Sequence, residues 1–334
     1  MSSRPALRFA LGTEVVCKTS DGWQPGRVID LWWRDEDFPP DVFMPYQVEL
    51  ENGDLIFVPK DTDKLCQQRV RSWWEPLFEQ VACGKAGVRE VRAAASADGN
   101  EINERDYEGS NALLESLRLG WSNVVDVLLE SGASVRVIDH KGRSVLHSVV
   151  EIKSDDVEGV GLMVQALLDR RADPNVQDRD LEKDPEYTSK SFEEREKHRT
   201  PLHYCAGYDY TFAAAILIEA GANPNIIDSQ YKTPLHLAID EQASLETVEL
   251  LLGSRADPNM GNVEIGMTSS YLMVAARLGN AELASCLINA RANLDQVGKQ
   301  GMTAAHLAAR GRHENVARLL VEAKCDTSIK AMGK

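Results

Sequence analysis

Apolar positions along most of the chain recur with a helical period, in short stretches separated by polar turns. Val124, Val125, Leu128 and Leu129 fall at i, i+1, i+4 and i+5, one stripe of a helix, and Val248, Leu250, Leu251 and Leu252 repeat the theme. The stretches come in pairs, and one tetrapeptide introduces each pair. It reads Thr200-Pro201-Leu202-His203 and Thr233-Pro234-Leu235-His236, and in degraded form Thr303-Ala304-Ala305-His306 and Ser144-Val145-Leu146-His147. Counted from the Thr position, units start near Phe78, Asn111, Ser144, Thr200, Thr233, Ser270 and Thr303, with spacings of 33, 33, 56, 33, 37 and 33. Gly109, Gly142 and Gly301 each lie two residues before a start, and Asp106, Asp139 and Asp228 recur in the turns.

The pattern before residue 76 differs. Short β-like runs appear at 14–18, 27–33, 46–50 and 55–58, and Asp21-Gly22 and Asn52-Gly53 punctuate them as turns. Trp23, Trp32, Trp33, Trp73 and Trp74, five of the six tryptophans, also fall here. That break predicts a separate small all-β barrel over 1–70, a junction over 71–77, where Trp73-Trp74 forms a seam, and helical repeats over 78–334.

Within a repeat the chemistry of each position is local. Thr200 and Thr233 can cap a helix through their hydroxyls, and Pro201 and Pro234 sit at the first helical residue, where a missing N–H costs nothing. Gly132 and Gly221 stand where the chain leaves the second helix through a left-handed residue. Arg171, Arg255 and Arg291 occupy that place in three units, which puts a strict glycine-type cap in question. One unit cannot bury its apolar face alone, so neighbours must stack.

The 33-residue period and the Thr-Pro-Leu-His core resemble the ankyrin repeat over residues 76 to 332, and seven units with irregular ends fit a stacked solenoid. The fold expected is mainly α, an ankyrin-repeat solenoid of about seven helix-turn-helix units. The resemblance implies that His147, His203, His236 and His306 make backbone hydrogen bonds joining turn to helix. A metal reading of these histidines is disfavoured because ligands converge at short spacings, and Met273 and Leu114 replace the residue in two units. The resemblance also implies a concave groove lined by turn tips and first helices, with partner-binding residues Tyr107, Glu108, His140, Lys141, Gln230, Tyr231, Lys299 and Gln300, of which the tyrosines are aromatic anchors. Tyr208 and Tyr210 are weaker candidates. Asn175, Asn225 and Asn259 stand where some members are hydroxylated, and a structural hydrogen-bonding role is the favoured reading. The first 70 residues resemble Tudor-like small barrels in strand order and in the stretch Gly22-Trp23-x-x-Gly26-x-Val28. Trp32, Trp33, Phe38 and Tyr46, beside Asp35, Glu36 and Asp37, form a candidate aromatic cage for a methylated lysine.

Two insertions break the 33-residue frame, near 153–161 and 179–199. The second is charged and poor in apolar residues, and offers Tyr187, Thr188, Ser189 and Ser191 to phosphorylation. Thirty-seven Lys and Arg against 52 Asp and Glu give a net charge of −15, a field that disfavours phosphate backbones, so nucleic acid is not an expected partner. Cys17, Cys66, Cys83, Cys205, Cys286 and Cys325 are scattered as in a reduced intracellular protein. No signal-peptide or membrane-length apolar run appears, which places the chain in the cytoplasm or nucleus, monomeric when alone. The segment before residue 76 has no histidine and no phosphate loop, so no enzyme, cofactor or metal is expected. The expected function is a non-catalytic platform that binds a protein partner. A barrel that reads a modified lysine or short peptide, and a regulatory subunit or adaptor of an enzyme complex, stand as alternatives.

Overall fold

The computed structural model describes residues 9–19, 22–33, 44–58, 66–68, 74–82, 86–97, 100–105, 110–139, 142–151, 156–178, 198–260 and 270–331. They fall into two compact units, one built mainly on residues 1–112 and the other on most of the chain after Leu113.

In the first unit, β1 (Glu14–Thr19), β2 (Gly22–Trp33), β3 (Met44–Leu50), β4 (Leu55–Val58) and β5 (Cys66–Gln68) form one antiparallel sheet in the order β4-β3-β2-β1-β5. Alternation sets its face: Val15 and Cys17 of β1 point inward with Tyr46, Val48 and Leu50 of β3, joined by Phe9, Val28 and Val58. Gly26 is required where β2 crosses β3, because a Cβ there would lie 2.6 Å from the Glu49 carbonyl oxygen. Gly53, at φ 87°, closes the β3–β4 turn expected at Asn52-Gly53. The sheet therefore exists where strands were expected, with β2 starting earlier and β5 added. β4 and β5 are its two edges, and no pairing among the described residues closes them into a barrel. The same unit holds α1 (Trp74–Ala82) and α2 (Val88–Ala95), with Trp74 stacked edge-on against Phe78 at 5.4 Å. Phe78, expected to open the first repeat, lies inside α1 and is buried. The first helix starts five residues earlier than the frame predicts, because Trp74 and Phe78 face the same side one turn apart.

The helix pairs continue as α3 (Ala112–Arg118) with α4 (Ser122–Glu130), α5 (Val145–Val150) with α6 (Val157–Asp169), α7 (Pro201–Gly207) with α8 (Thr211–Glu219), and α9 (Pro234–Asp240) with α10 (Leu245–Gly253). The last are α11 (Tyr271–Leu278) with α12 (Ala281–Asn289) and α13 (Ala304–Gly311) with α14 (Glu314–Glu322). From α3 onward each first helix starts one residue after Asn111, Ser144, Thr200, Thr233, Ser270 and Thr303. Helices this short do not hold in isolation. They persist because Leu146, Leu202, Leu235 and Leu272 of first helices and Leu167, Leu217 and Leu251 of second helices are fully buried between layers. The insertion near 153–161 is in part helical: α6 is longer than its sister second helices because Val157–Val160 add a turn, capped by the Asp156 carboxylate on the Gly159 N–H at 2.8 Å.

The helix ends answer the question raised by the arginines. Arg171, Arg255 and Arg291 adopt φ of 64°, 69° and 66°, the conformation that Gly132 and Gly221 adopt at 91° and 90°. In each case the next residue, Ala172, Ala256 or Ala292, donates its N–H back to Leu167, Leu251 or Leu287. The left-handed cap is kept without glycine, at a cost of about 1–2 kcal/mol per residue that the surrounding hydrogen bonds offset.

Candidate partner-binding surface

The polar side chains that recur from repeat to repeat are committed to wiring one layer to the next, which leaves the turn tips as the surface that differs between repeats. The histidines show this first. The Thr200 N–H donates to His203 Nδ1 at 3.1 Å, and Thr200 Oγ1 lies 2.8 Å from the same nitrogen. Nδ1 thus accepts, the ring proton sits on Nε2, and Nε2 donates to the Lys232 carbonyl of the next unit at 3.1 Å. His147 repeats the arrangement with Ser144 and, at 2.9 Å, the Arg199 carbonyl. Burial pushes the His203 imidazole down to about 4 and lowers that of His147 as well. Both rings are neutral connectors whose two nitrogens are occupied. Among the described residues no group of three or more His, Cys, Asp or Glu side chains is placed to hold a metal.

A buried aspartate closes three of the described turns. The Asp139 N–H donates to the Arg143 carbonyl at 3.0 Å, and its carboxylate accepts the Arg143 N–H at 2.9 Å and binds the Arg143 and Arg118 guanidiniums, each at 2.7 Å. Burial raises the pKa of this carboxyl, but the two arginines outweigh it and the net shift is downward. Asp228 closes onto Lys232 in the same way. Asp178, which sequence reasoning passed over, is the matching residue of the intervening unit. Its N–H donates to the Arg199 carbonyl at 2.9 Å, and its carboxylate accepts the Arg199 N–H and the Tyr204 hydroxyl. The chain leaves the turn at Asp178 and returns at Arg199 as sister units do across four residues, so the 179–199 insertion is hung on an intact turn. Burial and the Asp178 carboxylate push the Tyr204 hydroxyl above its ordinary value.

Asn175, Asn225 and Asn259 form a ladder. Asn175 donates Nδ2 to the Gly221 carbonyl at 3.1 Å and accepts the Asn223 N–H at 2.8 Å. Asn225 does the same to Arg255 and Asp257, and Asn259 to Arg291 and Asn293. A carboxamide carries a donor and an acceptor on one short planar group and so serves a carbonyl and an N–H of the next layer together, which fits the residue type in three successive units. Asp295 ends the ladder by accepting the Asp326 N–H at 2.7 Å.

Of the expected partner-binding residues, Gln230, Tyr231 and Gln300 are exposed at the tips of two turns. Tyr231 is 60 % exposed with φ 60°, at the place where Gly142 and Gly301 also adopt positive φ in sister turns. Gln300 has φ 60° as well. Lys299 closes the same turn as Gln300, and its side chain lies outside the described residues, as do Tyr107, Glu108, His140 and Lys141. Tyr208 is exposed, while Tyr210 is buried. The cage expectation does not survive at Tyr46: the ring is fully buried in the sheet core and its hydroxyl accepts the Phe9 N–H at 3.3 Å, so it has no free face for a cation. Phe38 and the side chains of Trp32 and Trp33 lie outside the described residues. The insertion residues Tyr187, Thr188, Ser189 and Ser191 do so too. No helix among the described residues is long and apolar enough to cross a membrane.

Paired short helices, left-handed exits and hydrogen-bonded turns at a fixed period define a helix-turn-helix repeat protein. A sequence profile for ankyrin repeats (3 copies) matches residues 158–262 and 244–331, together more than half of the chain, and the chain belongs to the ankyrin-repeat family. Such domains mediate protein–protein interaction. The chain is similar to human neurogenic locus notch homolog protein 4, 45% identical over 94 residues, which are 28% of this chain and 4% of that protein. It is 35% identical over 123 residues to mouse neurogenic locus notch homolog protein 1, covering 37% of this chain and 5% of that one. Protein glp-1 of Caenorhabditis elegans is 24% identical over 323 residues, 83% of this chain and 23% of its own length. The chain thus spans less than a quarter of these relatives. The human ASB11 ankyrin repeat domain superposes with a TM-score of 0.53 at 24% identity, covering 76% of this chain and 100% of that one. The ankyrin repeat domain of Bcl-3 superposes with 0.50 at 22%, covering 67% and 91%. At those identities the two structures bear on the fold alone.

Proposed function

We propose that this chain is a non-catalytic interaction platform that holds a protein partner through its turn tips and the adjoining first-helix face, the surfaces that line the concave groove in this family. The observation that carries the reading is Tyr231. A tyrosine in the left-handed region costs about 1–2 kcal/mol; two sister turns avoid that cost with Gly142 and Gly301, while a third keeps His198 at φ 51°. The ring gains no burial in return, since it is more than half exposed. Strain kept at an exposed aromatic is the signature of a contact made to something else.

Tyr231→Gly tests this with two readouts of opposite sign. Thermal unfolding of the full chain should rise, by about 1 kcal/mol in stability, because the turn relaxes. Affinity capture with the same variant, compared by mass spectrometry with the unaltered chain, should lose its partner. An unchanged captured set overturns the reading.

A further inference from the structure

The outer helices carry a second surface that the turn tips do not explain. The returning hydrogen bonds of Ala172, Ala222 and Ala256 to Leu167, Leu217 and Leu251 put α6, α8 and α10 in one register. The second residue of that register is Asn123, Glu246, Glu282 and Asn315 in four units, but Leu162 and Phe212 in two adjacent ones. Leu162 is 59 % exposed and Phe212 46 %. Three residues on, the register holds Asp126, Gln165, Glu249, Ser285 and Arg318, and α8 alone places an alanine, Ala215. Helix α8 is therefore apolar on its outer as well as its inner face, a pattern proper to a helix covered on both sides. Phe212 is seated deliberately: its ring lies over Gly161 of α6, where an added Cβ would strike it.

Beside the ring is a cleft of about 630 Å³, with Val157, Phe212, Ala215 and Leu250 as its apolar walls and Glu246 and Glu249 exposed on the α10 side. Among the described residues no lysine or arginine lines it. The Asp209 carboxylate holds the α8 and α10 sides together, accepting the Ser244 and Thr247 hydroxyls at 2.8 and 2.7 Å, so the cleft is built into the stack.

We infer that this cleft docks a basic, amphipathic segment of a partner protein, with one bulky apolar side chain against Phe212 and Ala215 and flanking Lys or Arg beside Glu246 and Glu249. Charge complementarity selects this occupant: an acidic rim around an apolar floor on a chain of net charge −15 repels an acidic helix. The surface is separate from the turn tips, so its failure and that of the proposed function are distinguishable.

The probe is a fluorescein-labelled amphipathic peptide of Leu and Lys, titrated by fluorescence anisotropy into the full chain. Two controls accompany it, one with Ser for every Leu and one with Glu for every Lys. The Leu-Lys peptide should bind, and both controls should fail. Phe212→Asn, the residue α4 and α14 carry there, should weaken binding by about tenfold or more, as should Ala215→Gln, the residue of α6. Glu246→Gln with Glu249→Gln should weaken it and flatten its salt dependence. Glu314→Gln with Glu322→Gln on α14, and Tyr231→Gly, should leave it unchanged. The inference is overturned by absence of binding, by binding of the Ser-Lys peptide, by equal loss in the α14 variant, or by a dimer that Phe212→Asn dissolves in sedimentation velocity, which would make a second copy the occupant.

Discussion

Two neighbouring repeats carry the same four residues, Thr200-Pro201-Leu202-His203 and Thr233-Pro234-Leu235-His236, and wire them differently. His203 accepts from Thr200 and donates into the next unit. His236 directs Nε2 at the Asp240 carboxylate, 3.2 Å away, and its buried Nδ1 has no hydrogen-bond partner among the described residues. Thr233 instead accepts from the His236 N–H at 3.2 Å and meets the Tyr271 hydroxyl at 3.0 Å. The difference originates one repeat away. Where the unit after His203 opens with Thr233-Pro234, the unit after His236 opens with Ser270-Tyr271, and the Tyr271 hydroxyl, which donates to the Met260 carbonyl at 2.6 Å, occupies the capping site. A motif therefore fixes a helix start, while its neighbour decides the hydrogen bonds.

The sharpest way to break that comparison is to remove each ring. His203→Ala leaves the Thr200 N–H buried without a partner and the Lys232 carbonyl with the Asp228 N–H alone, and should cost about 4 kcal/mol on urea denaturation, from the unmet donor, the lost hydrogen bond and the cavity. His236→Ala leaves a cavity beside Tyr271 and removes the bond to Asp240, whose carboxylate keeps Lys232 Nζ at 2.8 Å, but strands no backbone group, and should cost about half as much. Equal losses would mean that the motif, not its neighbour, sets the energetics.

Acid separates His203 from the Asp240 carboxylate by a slightly smaller margin. The His203 pKa is depressed by burial to about 4, below its unfolded value near 6.5, so the unfolded chain binds the extra proton between those limits. Stability contributed by the neutral ring is complete above pH 6.5 and is lost as pH falls toward 4, by about 3 kcal/mol in all. His203→Gln should remove that slope. Asp240, held down to about 2 first by its hydrogen bond from His236 and further by Lys232, behaves differently. Its contribution is complete above its unfolded value near 3.8 and is lost only as pH falls from there toward 2. Unfolding midpoints measured from pH 7.5 to 4.5 should therefore report His203 and His147 and leave the Asp240 carboxylate silent.

The sequence made the helix starts readable because everything that fixes them lies within four residues: the cap, the proline and the first leucine. The same locality explains Asn52-Gly53 and the strand alternation of Tyr46, Val48 and Leu50. The wiring was not readable, because its partners are remote. His147 reaches the Arg199 carbonyl across the insertion, and Asn175 reaches Gly221 and Asn223 in the next unit. Asp178 escaped notice because its turn partner stands beyond the insertion. Tyr46 was misread as a cage wall for a related reason: β-alternation puts it on one face, and only the packed sheet, with Phe9 over it, shows that the face is the core.

A Tyr271→Phe substitution sharpens the comparison further. It deletes the hydroxyl shared between Thr233 and the Met260 carbonyl and keeps the ring, which stands edge-on to His236 at 5.5 Å. The expected cost is about 1–2 kcal/mol in chemical denaturation, one hydrogen bond and one unmet carbonyl. In the same variant the Thr233 hydroxyl is left to the helix alone, so the cap amide of His236 should gain protection from hydrogen exchange relative to its neighbours.

The smallest effect compares how the two repeats end. The first leaves α8 through Gly221, and the second leaves α10 through Arg255, with the same left-handed φ and the same returning hydrogen bond from the following alanine. The Arg255 side chain is exposed, and what the preceding layer uses is its carbonyl, which accepts Asn225 Nδ2 at 2.9 Å. Replacing Arg255 with glycine keeps that carbonyl and relieves the Cβ clash, so the protein should gain about 1 kcal/mol in thermal or urea unfolding, less what glycine adds to the freedom of the unfolded chain. Gly221→Arg should lose a similar amount. If the two changes fail to mirror each other, then the arginine is held in place by contacts of its own, and the repeats differ at their exits as well as at their caps.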